Sequence, residues 1–394
     1  MATLTGAGSL PAQQEYQRTQ SALEQYRILA AADDGALLPT TRKPVEPGER
    51  YGGVPRLIRL LIRMGDLPAG AGLRPSVPPA DSDLYTGALA AGVKQFQTRH
   101  GLEPDGRIGK ATLAELNTPL SFRVRQLELA LERWRWLPDD PSGPAIVLNL
   151  PESRLRAFNA EHHVELEMKI VIGRTKLRTP LLSSEMETII FRPYWNVPLS
   201  IQRKELVPDI RRDPSYVSKN DFELVTPRGV VVAEDPASEK TLAQLRSGKL
   251  LLRQRPGPHN ALGLVKFVFP NEYDVYMHDT PSTSLFARAR RDFSHGCIRL
   301  EKAEELAEWV LRDESHWPPD RIAAAMQGTE TVTVKLKKPI HVRTMYVTAV
   351  VRENGEVYFF EDFYGEDAAL EKELAEAAAD AGITSAGSGP HPRE

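Results

Sequence analysis

The stretch Ser294-His-Gly-Cys-Ile-Arg299 contains the only cysteine of the chain, Cys297, and follows shortly after Tyr276-Met-His-Asp-Thr-Pro281. A thiolate is a strong nucleophile, and neighbouring positive charge lowers the pKa of a thiol. A histidine such as His278 within hydrogen-bond reach would complete the minimum machinery for covalent acyl transfer. Gly296 lets the backbone approach a substrate closely and present N–H groups to an oxyanion. The stretch therefore predicts a cysteine nucleophile.

These residues alone leave other interpretations open. A cysteine is most often a buried core residue, although Ser, His, Gly and Arg are poor core neighbours. A papain-like protease places its cysteine before its histidine, whereas His278 and His295 both precede Cys297. A zinc site formed by these three residues lacks a fourth ligand and would quench the nucleophile.

Composition narrows the class of protein. A chain of 394 residues predicts two or three domains. The hydrophobic share of 41% and the charged share of 26% are ordinary for a globular protein. Fifty basic and 53 acidic residues give a net charge of −3, which favours no nucleic-acid partner. No run approaches the roughly 20 apolar residues of a membrane-spanning helix, and the first residues lack the pattern of a secretory signal.

The pattern along the chain changes from helical to β-rich. A Pro- and Gly-rich linker is predicted at residues 68–79. Short β-branched runs predict strands at 145–150, 155–158, 164–172, 188–191 and 266–269. The predicted domains are a helical scaffold segment (1–73), a small helical module (80–120), a connecting helix and linker (121–143), a β-rich domain (144–363) with an insertion (201–260), and a C-terminal helix and tail (364–394).

The cysteine motif and the upstream histidine resemble the catalytic signature of the L,D-transpeptidases, the YkuD-type domain. That family has a histidine followed by Ser/Thr-His-Gly-Cys-x-Arg/Asn. The wider context resembles its YcbB-like branch in several motifs: Val171-Ile-Gly-Arg174, Thr179-Pro180, Ser183-Ser184, Tyr194-Trp-Asn-Val-Pro198, Thr348-Ala-Val-Val-Arg-Glu-Asn-Gly355 and Asp362-Phe-Tyr-Gly365. The resemblance covers most of residues 145–365.

The 80–120 module has a resemblance of its own. Its Val93-x-x-Phe-Gln97 and His100-Gly-Leu-x-Pro-Asp-Gly106 are similar to a small helical peptidoglycan-binding module. Most of these positions also serve the fold, so the pattern favours proximity to peptidoglycan without deciding whether this copy binds glycan. The expected fold is α+β: a β-rich YkuD-type domain with a helical capping insertion, preceded by a three-helix module and the scaffold segment.

The resemblance implies a mechanism for the named residues. Cys297 attacks the carbonyl of the third residue of a stem tetrapeptide, D-Ala leaves, and an amine of a second stem resolves the thioester into a 3→3 crosslink. His278 is the base and later the acid. Gly296 contributes a backbone N–H to the oxyanion hole, and His295 orients the loop or assists the chemistry. The resemblance implies no metal and no cofactor, and it implies inhibition by carbapenem-type β-lactams.

Five further side chains are candidates for binding the substrate: Ser294, Arg299, Tyr276, Trp195 and Asn196. Tyr276 lies two residues before His278, so on a strand both share one face, where Tyr276 either lines the donor site or packs. Asp279 faces the other way, which leaves the group that orients His278 unassigned. Arg288, Arg290 and Arg291 either attract stem carboxylates or lie solvated.

Several rival functions use the same residues. An L,D-carboxypeptidase or endopeptidase would employ Cys297 and His278 with water as acceptor. A wall-binding protein without catalysis would have lost one of them, and a cytosolic thiol enzyme would fit the missing signal. We expect a monomeric enzyme of the periplasm or cell envelope whose partners are peptidoglycan stems, without a nucleic-acid partner, and whose insertion caps the cleft to exclude water.

Overall fold

The computed structural model describes residues 10–68, 83–136 and 143–386. Most of the predicted linker 68–79, the start of the 80–120 module, part of the connecting linker and the end of the tail lie outside these residues. None of the helices in the described ranges is long and apolar enough to cross a membrane.

Helices dominate the two ends of the described chain. In chain order they are α1 (Leu10–Ala31), α2 (Val54–Arg63), α3 (Gly87–Arg99), α4 (Lys110–Leu116), α5 (Leu120–Trp136), α6 (Leu199–Ile201), α7 (Val207–Arg212), α8 (Tyr216–Lys219), α9 (Glu239–Ser247), α10 (Ala303–Leu311), α11 (Pro319–Gln327) and α12 (Glu366–Ala386). A π-helical turn, Gln202–Leu206, joins α6 to α7.

The strands lie mainly in the middle of the chain. They are β1 (Ala145–Asn149), β2 (Arg154–Phe158), β3 (Val164–Gly173), β4 (Ser183–Phe191), β5 (Trp195–Asn196), β6 (Phe222–Val225), β7 (Leu251–Gln254), β8 (Val265–Val268), β9 (Met277–His278), β10 (Asp292–Ser294), β11 (Ile298–Leu300), β12 (Val332–Met345), β13 (Ala349–Val351) and β14 (Val357–Phe359).

The chain forms two compact units. The first comprises residues 1–140 and 346–394, and its helices α2, α3 and α4 share one hydrophobic core with Leu57, Val93 and Phe96 fully buried. The hydroxyl of Thr86 accepts a hydrogen bond from the N–H of Leu89 and caps α3, which satisfies one of the free donors at a helix start. The second segment of this unit begins at residue 346, whereas the sequence predicted a domain boundary at 363. The β13–β14 hairpin therefore belongs to the first unit.

The second unit, residues 141–345, is built on a nine-stranded sheet of order β10-β3-β11-β9-β8-β4-β12-β1-β2. β2 also pairs with β3, so eight of the strands close into a barrel and β10 lies at the margin. Strand β3 pairs with three neighbours along its length. Val164–Lys169 pair with β2, residues 170–171 pair with β11, and residues 172–173 pair with β10. This arrangement places β9, which carries His278, beside β11, which begins directly after Cys297.

The insertion differs from the expected helical one. It contains a separate three-stranded sheet, β5-β7-β6, as well as helices α7, α8 and α9, around a core that includes Val207, Phe222 and Leu245. The sequence analysis did not predict β6 and β7, which have four residues each. The expected α+β class is confirmed.

Candidate active site

The turn that carries Cys297 is fixed by hydrogen bonds of its own residues. The N–H of Gly296 donates to the Ser294 hydroxyl (3.1 Å), and that hydroxyl donates to the carbonyl oxygen of Cys297 (2.6 Å). The hydroxyl of Thr179 donates to the carbonyl oxygen of Gly296 (2.8 Å). Gly296 has φ +121°, a conformation that L side chains rarely adopt. The sequence therefore needs glycine here to place the thiol at the start of β11.

These bonds alter two expected roles. Ser294, expected to bind substrate, is 2% exposed and its hydroxyl serves the turn. The Gly296 N–H, expected in the oxyanion hole, is already engaged by Ser294. Within residues 143–386, the backbone N–H of Cys297 forms no hydrogen bond.

The Cys297 thiol is partly buried, and it contacts the carbonyl oxygen of Asp274 at 3.9 Å. Burial raises the pKa of the thiol above its ordinary value, because the thiolate loses hydration. Hydrogen bonding from the backbone and side chain of Tyr276, together with the charges of Lys266 and Arg299, acts in the opposite direction on this pKa. The resting thiol is therefore neutral, and Tyr276, Lys266 and Arg299 are the groups that would stabilise its thiolate.

His278 lies on β9, directly opposite Arg299 of the parallel neighbour β11, and is 4% exposed. Its Nδ1 lies 2.5 Å from the carbonyl oxygen of Asp279, which can only accept, so Nδ1 carries the proton. Nε2 then keeps its lone pair and can take a proton. Burial lowers the pKa of His278 to about 3, and Arg299 and Lys266 contribute to the decrease, so the ring is neutral at pH 7.

The carboxylate of Asp279 faces away from the His278 ring. It accepts a hydrogen bond from the backbone N–H of Leu264 (2.9 Å). Burial raises the pKa of this carboxyl group. The backbone carbonyl of Asp279 therefore orients His278. The Asp279 carboxylate instead binds the backbone of Leu264, directly before β8.

Tyr276 connects the thiol to two other elements. Its ring centroid lies 5.7 Å from that of His278, and the ammonium nitrogen of Lys266 lies 3.7 Å from its ring centroid. The Trp195 and Cys297 side chains lie close enough to Tyr276 to act on its pKa, Trp195 lowering it and Cys297 raising it. Burial raises the pKa of Tyr276 far above its ordinary value, so its hydroxyl stays protonated and can donate to a thiolate.

The two residues of β5 differ in their exposure. Trp195 is partly buried and packs against the insertion core, and its ring centroid lies 6.1 Å from that of Phe222. It thereby joins the insertion to Tyr276. Asn196 is exposed and pairs only through its backbone with Arg253 of β7.

His295 contacts the insertion from the catalytic turn. Its Nε2 lies 2.6 Å from a carboxylate oxygen of Glu205 and 2.6 Å from a guanidinium nitrogen of Arg174. The same guanidinium nitrogen lies 3.4 Å from the Glu205 oxygen. Since Glu205 belongs to the π-helical turn of the insertion, this cluster ties the turn of Cys297 to the insertion.

Sequence reasoning missed Lys266, Thr179, Glu205 and Arg174 as neighbours of the site. Lys266 lies opposite His278 because β8 pairs with β9, a pairing that the sequence alone did not give. The contact between Glu205 and His295 spans 90 residues of sequence and had no local signal.

The arginines that precede the cysteine motif form contacts within the protein. Arg291 is buried and donates to the carbonyl oxygens of Ile170 and Arg288 among others. Arg290 pairs with Asp292, and Arg288 lies over the ring of Phe293. Among the described residues, no group of three or more His, Cys, Asp or Glu side chains is placed to hold a metal ion.

A comparison with protein families matches residues 143–342 to the L,D-transpeptidase catalytic domain, YkuD. The match covers half of the chain and contains every residue of the site described above. The chain belongs to the YkuD family of L,D-transpeptidase catalytic domains. Residues 54–116 match a second family, described as "Putative peptidoglycan binding domain". This match begins at α2, upstream of the 80–120 module that the sequence predicted, and so includes all three helices of the shared core.

A relative of this YkuD protein from Haemophilus influenzae, described as "Putative L,D-transpeptidase", is 31% identical over 244 residues. The alignment covers 62% of this chain and 48% of the relative, so the chain spans about half the length of the curated relative. An L,D-transpeptidase structure from Mycobacterium smegmatis is similar at 13% identity over 52% of this chain and 60% of that one, with a TM-score of 0.24. One from Stackebrandtia nassauensis is similar at 12% identity over 78% and 97%, with a TM-score of 0.27.

Proposed function

We propose that this protein is a cysteine-dependent L,D-transpeptidase that forms 3→3 crosslinks in peptidoglycan, and that it belongs to the YcbB-like branch of the family. The observation that carries the proposal is the placement of Cys297. It lies on a glycine-dependent turn beside Tyr276, and on the strand next to it is a buried, neutral His278. All three lie within the YkuD match.

The first half-reaction uses the protonation states described above. The sulfur of Cys297 gives its proton to Nε2 of His278 and attacks the carbonyl of the third residue of the donor stem. The oxyanion of the tetrahedral intermediate accepts a hydrogen bond from the Cys297 N–H. The imidazolium then donates its proton to the amine of D-Ala, the C–N bond breaks, and a thioester remains.

The second half-reaction reverses these roles. Neutral His278 takes a proton from the acceptor amine as that amine attacks the thioester. The tetrahedral intermediate collapses, the C–S bond breaks and the sulfur recovers its proton. The crosslinked stems leave, and the enzyme returns to its starting state without a cofactor or metal.

We propose distinct roles for the remaining candidates. Ser294 holds the turn, His295 couples the turn to the insertion through Glu205, and Tyr276 is the hydroxyl donor beside the sulfur. Arg299 supplies positive charge next to His278, and Trp195 forms the wall of the donor site between the insertion and Tyr276. Asn196, being exposed, contacts the stem from the rim of that wall.

The substrate places the action of the enzyme in the cell envelope, and we propose the periplasm. The match of residues 54–116 to a peptidoglycan-binding domain supports this location. We propose that the enzyme acts as a monomer on donor and acceptor stems.

The test uses purified protein with disaccharide-tetrapeptide, and mass spectrometry of the products. A dimer whose mass equals two muropeptides less one free alanine, absent with Cys297→Ala, is the expected result. Tripeptide monomer as the sole product would contradict transpeptidation and assign the same Cys297 mechanism to an L,D-carboxypeptidase. No product with either protein would contradict both reactions.

A further inference from the structure

Two cationic side chains flank His278 across the sheet. Lys266 of β8 is its direct partner in the antiparallel pair, and Arg299 of β11 is its direct partner in the parallel pair. Directly opposed residues in neighbouring strands project from the same face. Lys266, His278 and Arg299 therefore form one transverse row, which we call the cation row. Tyr276 and Cys297 each lie two residues before a member of this row.

Neither cation of the row is neutralised by a carboxylate. Within the described residues, the ammonium group of Lys266 forms no ion pair or hydrogen bond, and it lies 3.7 Å from the ring centroid of Tyr276. The Nε of Arg299 is buried without a hydrogen-bond partner. Burial lowers the pKa of both Lys266 and Arg299, as expected for cations that lose water. Holding unpaired positive charge in a partly buried place costs free energy, and an anion that forms there reduces this cost.

The group that becomes anionic at this place is the thiol. The charges of Lys266 and Arg299 both act on Cys297, and they lower its pKa against the effect of burial. The ionisable groups that face the sulfur are Tyr276, Lys266 and Arg299; the carboxylate of Asp274 lies close enough to act on Lys266 and Tyr276. Positive charge therefore predominates around the sulfur.

We propose that Lys266 and Arg299 are positioning residues for the nucleophile, supplying the positive charge that stabilises the Cys297 thiolate, and that Lys266 also holds the Tyr276 ring with its hydroxyl toward the sulfur. A cation over the face of a tyrosine ring is attracted to its quadrupole, which fixes the ring relative to the β8 backbone. The inference rests on the proposed function only in taking Cys297 as the attacking group.

The same charges shape the proton transfer. When the S–H bond breaks and an N–H bond forms at Nε2 of His278, the sulfur keeps the electron pair and becomes negative beside the cation row. The imidazolium becomes positive between Lys266 and Arg299, which makes it a strong acid. The row therefore stabilises the attacking anion and drives the proton onward from His278 to the amine of the leaving group.

The test measures thiol ionisation directly, without peptidoglycan. Since Cys297 is the only cysteine, iodoacetamide alkylation followed by intact mass reports on this sulfur alone. The rate is recorded from acidic to alkaline pH for the full chain and for Lys266→Met, Lys266→Arg and Arg299→Met. Lys335→Met, at an exposed lysine of β12 in the same barrel, is the matched control.

Lys266→Met and Arg299→Met should each lower the alkylation rate at pH 7 by about tenfold and move the profile to higher pH, since one pKa unit is a tenfold change in thiolate. Lys266→Arg should restore the wild-type profile to within about twofold, and Lys335→Met should leave it unchanged. A Lys266→Met profile that superimposes on the wild-type profile would overturn the proposal. Failure of Lys266→Arg to restore it would do the same, because the lysine would then matter for shape rather than charge.

A second measurement needs no variant and so does not depend on folding. Unbalanced positive charge should raise the ratio of iodoacetate to iodoacetamide rates at Cys297 to at least about tenfold above that of free cysteine, and added salt should reduce it. A ratio equal to that of free cysteine would overturn the inference. Absence of crosslinking with these ratios intact would instead contradict the proposed function alone.

Discussion

His278 and His295 both precede Cys297, yet they lie in opposite surroundings. His278 is 4% exposed, belongs to the cation row and is held by a backbone carbonyl. His295 lies on the turn with its side chain 30% exposed, and its partners are the charged side chains of Glu205 and Arg174. Backbone bonds of a barrel are rigid, whereas exposed ion pairs contribute little and are screened by salt. The two histidines therefore suit different roles: we propose proton transfer for His278 on the sheet, and His295 on the turn contacts the insertion.

Replacing each histidine should have very different effects on catalysis. His278→Gln removes the base and should reduce kcat/KM by about 10²- to 10⁴-fold. His295→Gln keeps the fixed turn and the thiol, so a loss of about tenfold or less is expected. Steady-state crosslinking kinetics of both variants measure the difference, and equal losses would break the comparison.

The buried state of His278 should also appear in stability against pH. Its pKa is lowered to about 3 in the folded protein and is about 6.5 when unfolded, so the unfolded chain takes up the proton first as the pH falls. The free energy of unfolding should therefore decrease from pH 6.5 toward pH 3, by about 3 to 5 kcal/mol from this group. Denaturant titrations of wild type and His278→Gln at several pH values isolate it, because the variant lacks this proton uptake. Parallel curves for the two proteins would contradict a buried neutral imidazole.

Gly296→Ala tests whether the turn places the thiol. Its φ of +121° is strained for alanine, and the added Cβ would lie 3.4 Å from the carbonyl oxygen of Arg178. We expect a loss of about 1 to 3 kcal/mol in stability together with at least tenfold lower activity. Gly355→Ala is the control, since its φ is +83° and no atom lies within 4 Å of the new Cβ. Stability measurements and kinetics should show strain in both variants and lost activity only in the first; normal activity of Gly296→Ala would refute the placement argument.

Glu205→Gln should have the smallest effect and the most specific one. Loss of an exposed ion pair costs less than about 1 kcal/mol of stability. The weaker contact between insertion and turn should admit water and raise the ratio of hydrolysed to crosslinked product a few-fold. Glu239→Gln removes a comparable exposed pair with Arg211 inside the insertion and should leave the ratio unchanged. The product ratios are measured by mass spectrometry. Equal ratios for the two variants would show that His295 does not couple the catalytic turn to the insertion.

Local patterns made much of this molecule predictable. Strands β1, β2 and β8 each differ from prediction by one residue at an end or at both ends, because their sequences have clear periodicity or turn signals at their limits. The motif around Cys297 identified the turn, since glycine and a reactive side chain are read from adjacent positions. Lys266 and Glu205 were out of reach, because their closeness to the site depends on strand register and on a fold-level contact.

Ser294 and Gly296 show a different limit of sequence reasoning. Their presence in the motif was clear, but two hydrogen bonds depend on the dihedral angles of the turn: the Gly296 N–H donates to the Ser294 hydroxyl, and that hydroxyl donates to the Cys297 carbonyl oxygen. A motif names the residues of a site, and geometry decides which of their donors remain free.

In the proposed mechanism, Cys297 carries the acyl group during transfer. The most direct measurement is the intact mass of the protein after brief mixing with disaccharide-tetrapeptide and an acid quench, with the modified residue located by peptide mapping. We expect an adduct of the donor less one alanine on Cys297, absent in Cys297→Ala. An adduct on another residue, or crosslinked product formed by Cys297→Ala, would contradict it.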